Sequence, residues 1–167
     1  MLDGASAVVL NAKDMTVNSA KFNGEPVEIV QKPESEQIHL PLGRKYHTGP
    51  ATLDLEFTGE ISDKMSGFYR SSYADENESK KVILATHFEP SWGRKAFPCW
   101  DEPDFKSIFS IKLLIPKHMT AISNMVSYWL EQSDVLVFRY FQFSRVLFVT
   151  AFISIELLTY QEASLIV

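Results

Sequence analysis

A chain of 167 residues, 46% hydrophobic and 22% charged, is long enough for one domain with a core but too short for a large enzyme. Its formal net charge of −5, without a basic stripe to neutralise phosphates, argues against a nucleic-acid partner. The single cysteine excludes an internal disulfide and is compatible with a reducing compartment. Residues 1–14 lack the basic start and long apolar run of a secretory signal, so we expect a cytoplasmic protein.

The first predicted element pair is a hairpin. Residues 17–22 and 27–30 flank Asn23-Gly24, and both residues of this pair accept the positive φ of a tight turn. Pro26 predicts that the second arm lies at a sheet edge, because proline cannot donate to a strand ladder.

Further along, two prolines mark breaks in the predicted strands. Residues 31–37 are polar and contain Pro33, which predicts a loop. Residues 38–42 predict a short strand that Pro41 interrupts.

The middle of the chain shows the period-two alternation of half-buried strands. The alternating apolar positions are Leu53, Leu55 and Phe57, and later Phe109, Ile111, Leu113 and Ile115. Between them, residues 66–73 and 81–85 flank the charged turn 74–78 and predict a second hairpin. Because no long helical period and no repeat occurs in the sequence, we predict an all-β, antiparallel domain.

Residues 85–106, ATHFEPSWGRKAFPCWDEPDFK, form a stretch rich in proline, tryptophan and charge, which we call the signature loop. Residues that precede proline favour extended geometry, so Glu89, Phe97 and Glu102 should lie outside regular helix. A helical turn is possible only over residues 91–96, with Ser91 as its cap. Ordered loops of this kind are where binding residues tend to lie.

Most other residues of the loop have structural interpretations. We expect Arg94 and Lys95 to pair with the acidic residues of the loop, and Cys99 to be a buried small hydrophobe rather than a reactive thiol. The acidic residues are Asp101, Glu102 and Asp104, and the aromatic residues expected to pack the loop onto the sheet are Trp92, Phe97 and Trp100.

Residues 86–106 resemble the signature loop in the N-terminal domain of zinc aminopeptidases, the family of aminopeptidase N and puromycin-sensitive aminopeptidase. GEISDKMSGFYRS (residues 59–71) and the segment 116–125 resemble the sequences that flank this loop in the family. FPCW and GEISDKMSGFYRS favour the puromycin-sensitive branch. The resemblance is clear over residues 51–125, and we interpret residues 1–167 as one such domain, diverged over residues 126–167.

The resemblance implies a fold and a partial substrate site. The fold is a twisted, saddle-like antiparallel sheet, of which the first strands are expected to be missing, leaving an unpaired edge. By motif position, Glu89 accepts a charge-assisted hydrogen bond from the α-ammonium group of a peptide substrate. His87 replaces a family glutamine that lines the pocket for the first side chain. From spacing alone, Glu89 is a solvated loop carboxylate and His87 a structural loop histidine.

Catalysis in this family needs zinc, held by two histidines of H-E-x-x-H and a further glutamate. The four histidines are His39, His47, His87 and His118, and none forms this motif. We therefore expect zinc in the parent family and no cofactor, no metal ligand and no catalytic activity in this chain alone.

Three interpretations of function remain open. The first is the substrate-anchoring N-terminal domain of a zinc aminopeptidase, partnered by a catalytic domain. The second is a stand-alone module that binds a peptide N-terminus or an aminopeptidase. The third is a membrane-associated protein, which depends on the apolar residues 135–160; Arg139 and Arg145 within them favour strands over a membrane span.

Overall fold

The computed structural model describes residues 4–46, 49–74, 76, 78, 80–105, 107–116, 119–123, 127–132, 136–142, 151–155 and 165–166. Within these ranges the regular structure consists of strands and two short 3-10 turns, Pro33–Ser35 and Gly93–Lys95. The strands are β1 (Ala5–Asn11), β2 (Met15–Phe22), β3 (Glu25–Pro26), β4 (Val30–Lys32), β5 (Gln37–Tyr46), β6 (Leu53–Gly59), β7 (Gly67–Ala74), β8 (Lys80–His87), β9 (Ser110–Pro116), β10 (Thr120–Ser123), β11 (Ser127–Gln132), β12 (Leu136–Gln142), β13 (Ala151–Ile155) and β14 (Leu165–Ile166).

The described strands form four sheets, with the orders β1-β5-β4, β3-β2-β6, β10-β13-β8-β7 and β11-β12-β9-β14. Every strand pairing among them is antiparallel. The prediction of an all-β, antiparallel fold is confirmed. The chain divides into two compact units: unit 1 is Met1–Glu60 with Gly93–Asp101, and unit 2 is Ile61–Trp92 with Glu102–Val167.

Unit 1 contains the two three-stranded sheets around one apolar core. Alternate residues of β1 and β5 point into this core, as the period of a strand requires. In β2 a register shift between Val17 and Ser19 interrupts the alternation, so the buried residues are Val17, Ala20 and Phe22. Its buried members are Val8, Leu10, Val17, Ala20, Phe22, Ile38 and Leu40. Leu53, Leu55 and Phe57 of β6 pack against it from one face, which confirms their predicted alternation.

The hairpin at Asn23-Gly24 is confirmed, but its second arm is much shorter than predicted. Asn23 and Gly24 have φ values of 51° and 81°, and they join β2 to β3. β3 is the predicted edge strand. Val27 N still donates to Ala20 O at 3.1 Å, but β3 ends at Pro26, and the chain then leaves β2 and enters β4 of the other sheet at Val30.

The predicted loop over residues 31–37 is shorter than expected: residues 33–36 form the connection, whereas residues 31–32 belong to β4 and Gln37 begins β5, so the segment is a hairpin. Pro33 occupies the first turn position, where its missing N–H costs no ladder bond. At Pro41 the strand does not end, because β5 continues to Tyr46, but its register with β1 shifts immediately after Pro41. β4 pairs with β5 only as far as His39, so at Pro41 the described partner of β5 is β1 alone and a strand with one open side tolerates proline.

Unit 2 contains the two four-stranded sheets. β7 and β8 form the predicted second hairpin, in register from Gly67–His87 to Ala74–Lys80. Ile111, Leu113 and Ile115 on one face of β9 are buried, as the alternation predicts. They form a core with Leu84, Met119 and Ala121, against which Ile61, Phe68, Val82, Phe88 and Phe109 pack.

The described parts of the apolar C-terminal segment are strands. β12 lies between β11 and β9, and β13 lies between β10 and β8. Residues 143–150 and 156–164, which carry Arg145 and much of the apolar sequence, lie outside the described residues. A search of the described residues finds no helix with the length and hydropathy that crossing a bilayer requires.

Candidate functional site

The candidate substrate residues lie where β8 ends in unit 2. His87 is the last residue of β8, paired with Gly67, and its side chain is exposed. Phe88 turns inward and packs against the core of unit 2. Glu89 follows with an exposed side chain, and the Glu89–Pro90 peptide bond is cis. A core anchor therefore separates two polar side chains that both reach the surface.

The ring of His87 is held by two contacts within unit 2. Nδ1 lies 3.2 Å from the carbonyl oxygen of Met65, and the ring meets Trp92 edge to face, with centroids 4.8 Å apart and an interplanar angle of 89°. Trp92 is itself placed by its backbone N–H, which donates to Phe88 O at 2.8 Å. Neither Met65 nor Trp92 was assigned to the site from the sequence.

Residues 93–101 of the signature loop belong to unit 1 and are fastened there by four charged side chains, which we call the loop clamp. Arg94 donates to Asp101 Oδ2 from Nε at 2.9 Å and from its backbone N–H at 3.2 Å. Arg94 Nη1 also donates to Glu36 Oε2 at 3.2 Å, and Lys13 donates to the other oxygen of Glu36. The pairing of Arg94 with Asp101 was predicted; Lys13 and Glu36 were not.

Backbone contacts continue the attachment along β1. Asn11 and Cys99 exchange two hydrogen bonds, of 2.8 Å and 3.0 Å. Lys13 N donates to Arg94 O at 2.9 Å, and Trp100 Nε1 donates to Val9 O at 2.9 Å. This part of the loop therefore follows the end of β1 as a short additional strand would.

Three smaller predictions about the loop need correction. Lys95 pairs with Asp14 at 3.7 Å, a partner outside the loop that was not predicted. The helical turn is only Gly93–Lys95, so Ser91 is too far upstream to cap it. Trp100 is 47% exposed and is held by its N–H rather than by burial, whereas Phe97 is buried as predicted.

Gly93 and Cys99 show how closely this part of the loop is packed. A Cβ at Gly93 would lie 3.0 Å from Asp101 Oδ1 and 3.6 Å from Cys99 Sγ, so a side chain there would require the Asp101 carboxylate of the clamp to shift by a few tenths of an ångström. Burial is the main cause that raises the pKa of Cys99 to about 12, and the negative charge of Asp101 adds to it. The positive charge of Arg94 has a smaller, opposite effect. The thiol is protonated at neutral pH and is a poor nucleophile, which agrees with its predicted structural role.

The electrostatics of the clamp favour its ionised form. The hydrogen bond from Lys13 is the main cause that lowers the pKa of Glu36; burial opposes it and Arg94 adds to it. Burial acts to lower the pKa of Arg94, but the hydrogen bonds and charges of Asp101 and Glu36 together raise it. Glu36 and Arg94 are therefore charged at neutral pH.

This network predicts a pH-dependent contribution to stability. The pKa of Glu36 is lower in the folded chain than its ordinary value of 4.5, so its contribution is present above that value and is lost as the pH falls through the lowered one. We expect Glu36→Gln to reduce the free energy of unfolding by about 0.5–1 kcal/mol at neutral pH and by progressively less in acid. Urea unfolding across this range measures the effect.

The control for that experiment is Glu34→Gln, which changes an exposed glutamate in the same 3-10 turn. It should leave the pH profile unchanged. A difference between wild type and Glu36→Gln that stays constant from neutral pH into acid contradicts the prediction.

A zinc ion requires three or four closely grouped His, Cys, Asp or Glu ligands. Among the residues that the structure describes, no three such side chains form a group. His47 and His118 lie outside those residues, and the printed sequence contains no H-E-x-x-H. The described residues do not fit a zinc ion.

The antiparallel sheets of the two units define an all-β class of protein. The chain belongs to the Peptidase M1 N-terminal domain family, whose profile matches residues 2–145. The family predicted from residues 86–106 is confirmed, and the match extends beyond residues 51–125 on both sides.

Full-length aminopeptidases are similar to this chain over one part of their length. Aminopeptidase M1 of Arabidopsis thaliana is 41% identical over 127 residues, which are 71% of this chain and 14% of that protein. Puromycin-sensitive aminopeptidase of Caenorhabditis elegans is 51% identical over 73 residues, 44% of this chain and 8% of that protein. Endoplasmic reticulum aminopeptidase 1 of Homo sapiens is 35% identical over 130 residues, which are 72% of this chain and 14% of that protein. The chain thus spans a small fraction of the relatives it matches.

Proposed function

We propose that this chain is the N-terminal, substrate-anchoring domain of a zinc aminopeptidase that removes N-terminal amino acids from peptides. The observation that carries the proposal is the exposed carboxylate of Glu89 at the end of β8, held in place by the core contact of Phe88. The chain supplies recognition and not chemistry, so it is inactive on peptides by itself.

Glu89 is suited to recognise a peptide N-terminus. Its charge complements the α-ammonium group, and a hydrogen bond between two ionised groups is stronger than one between neutral groups. An N-acetylated peptide offers neither the charge nor the same donors. The carboxylate therefore distinguishes a free chain end from an internal or blocked residue.

His87 completes the recognition surface as one wall of the pocket for the first side chain. Its ring is fixed by Met65 O and Trp92, so it presents a defined edge instead of a freely rotating one. A pre-organised side chain loses less conformational entropy when a ligand binds.

The reaction itself needs a partner, a catalytic aminopeptidase domain that carries the zinc site. We place the assembled protein in the cytoplasm, a location with which the single cysteine is compatible. An antibody against residues 86–106 should detect a species several times heavier than 19.0 kDa in source cells. A stable species of 19.0 kDa contradicts this part of the proposal and favours a stand-alone binding module.

Binding of a peptide by the purified chain tests the anchor directly. A short peptide with a free α-amino group should shift the amide NMR signals of residues 87–92, and its N-acetylated form should bind at least about tenfold more weakly. Glu89→Gln should reduce affinity for the free peptide by a similar factor, because the amide keeps an acceptor but loses the charge.

The matched control is Glu102→Gln, which changes another exposed glutamate of the signature loop. It should bind both peptides as the wild-type chain does. Equal binding of free and acetylated peptides, or an equal effect of the two substitutions, would show that Glu89 is only a solvated surface carboxylate.

A further inference from the structure

The hydrogen bond of His87 fixes which of its ring nitrogens carries the proton. Its partner, the carbonyl oxygen of Met65, can only accept, so Nδ1 must donate across the 3.2 Å contact. A neutral imidazole carries one ring proton, and Nε2 is then left with a lone pair. Neutral His87, whose side chain is exposed, therefore carries a hydrogen-bond acceptor at Nε2.

We infer that His87 makes the first side-chain pocket select peptides whose first residue donates a hydrogen bond, lysine and arginine above all, over apolar residues of the same size. The inference rests on the proposed function, which places His87 beside that side chain. Long basic side chains carry N–H donors at their ends, which can donate to the lone pair of Nε2.

The family glutamine at this position would also favour a donor over an apolar side chain, but it cannot exclude an acidic one. A glutamine amide presents an oxygen acceptor and an NH2 donor, and rotation exchanges them at little cost. His87 cannot exchange its nitrogens while Nδ1 remains bonded to Met65 O and the ring remains against Trp92. An acidic first side chain would meet a lone pair at Nε2 and so gain no hydrogen bond there.

The protonation of the ring is measurable without any ligand. Long-range proton–nitrogen NMR spectra of the chain at mildly alkaline pH should show neutral His87 with its proton on Nδ1. His39 is a useful comparison, because its Nε2 lies 3.3 Å from the side-chain amide of Gln37, which can rotate to accept or donate and so fixes neither tautomer. A proton on Nε2 of His87 overturns the inference.

The selection itself is tested with two peptides that differ only in having lysine or norleucine first, since norleucine keeps the apolar stem and lacks the ammonium group. The wild-type chain should bind the lysine peptide about fivefold more tightly. His87→Phe keeps a ring for Trp92 and removes the acceptor, so the two affinities should become equal. His87→Gln should restore the preference for lysine and should also accept a peptide with glutamate first.

Glu89→Gln separates this inference from the proposed function. It should weaken both peptides in parallel, because the anchor contacts the shared α-ammonium group. If both peptides bind with equal affinity and Glu89→Gln weakens both, Glu89 binds the α-ammonium group as proposed. The selective role of His87 is then overturned. If neither peptide depends on Glu89, both proposals fail.

Discussion

Asp101→Asn should lower the free energy of unfolding by about 2–3 kcal/mol, whereas Asp14→Asn should change it by less than about 0.5 kcal/mol. The two substitutions are chemically identical, and each aspartate pairs with a neighbouring cation of the signature loop. The side chain of Asp101 is 14% exposed and takes two hydrogen bonds from Arg94, which is 17% exposed. When asparagine replaces Asp101, the partly buried guanidinium group of Arg94 is left with a neutral amide, which is a weaker hydrogen-bond partner than a carboxylate.

Asp14 differs because water already solvates it. Its side chain is 63% exposed and lies 3.7 Å from Lys95. Urea unfolding measures both variants, and a cycle with Arg94→Met should show that the double variant loses less than the sum of the single losses, because the groups interact. Equal effects of the two aspartate substitutions would mean that the loop clamp contributes no more than a surface ion pair.

The strands that the sequence predicted well are those whose pattern is local. In β6 and β9 every second residue is apolar, and one buried face is enough to produce that alternation. The turn at Asn23-Gly24 could be predicted equally well from the sequence, because positive φ at two successive positions strongly restricts the residue types.

The errors arose where tertiary neighbours decide the structure. Pro41 breaks a strand only if both sides need hydrogen bonds, and the early end of β4, which frees one side, has no signature in the sequence. Likewise, Arg94 and Glu36 are separated by 58 residues, and charged residues are too common for their pairing to be read from composition. Only the sheet topology brings them together.

In the candidate site, too, residues within a sequence motif could be predicted, whereas contacts set by the tertiary structure could not. Glu89 and His87 could be proposed because a motif fixes their order and spacing. Met65 could not, because it contacts His87 through a backbone carbonyl that every residue type possesses. Trp92 was expected to pack the loop, but its ring contact with His87 depends on how the turn after Phe88 closes.

Phe88→Ala should lower the free energy of unfolding by about 2–3 kcal/mol and should also weaken the binding of free peptide N-termini. A fully buried phenylalanine loses about 3–5 kcal/mol on truncation, and Phe88 is only partly buried against the core of unit 2. Phe88 lies between His87 and Glu89, and removing its ring removes the contact that holds this segment against the core. The two polar side chains should therefore become less ordered. A binding site that must be ordered by its ligand has a lower affinity.

Phe105→Ala is the matched control, because Phe105 belongs to the same unit and its side chain is 54% exposed. It should change stability by less than about 0.5 kcal/mol and leave peptide affinity unaltered. The two variants are compared by urea unfolding and by peptide titration of the folded chain. If Phe88→Ala destabilises the chain but binds peptide normally, the position of Glu89 is set by the turn backbone instead of by the core, since the bond from Trp92 N to Phe88 O needs no side chain.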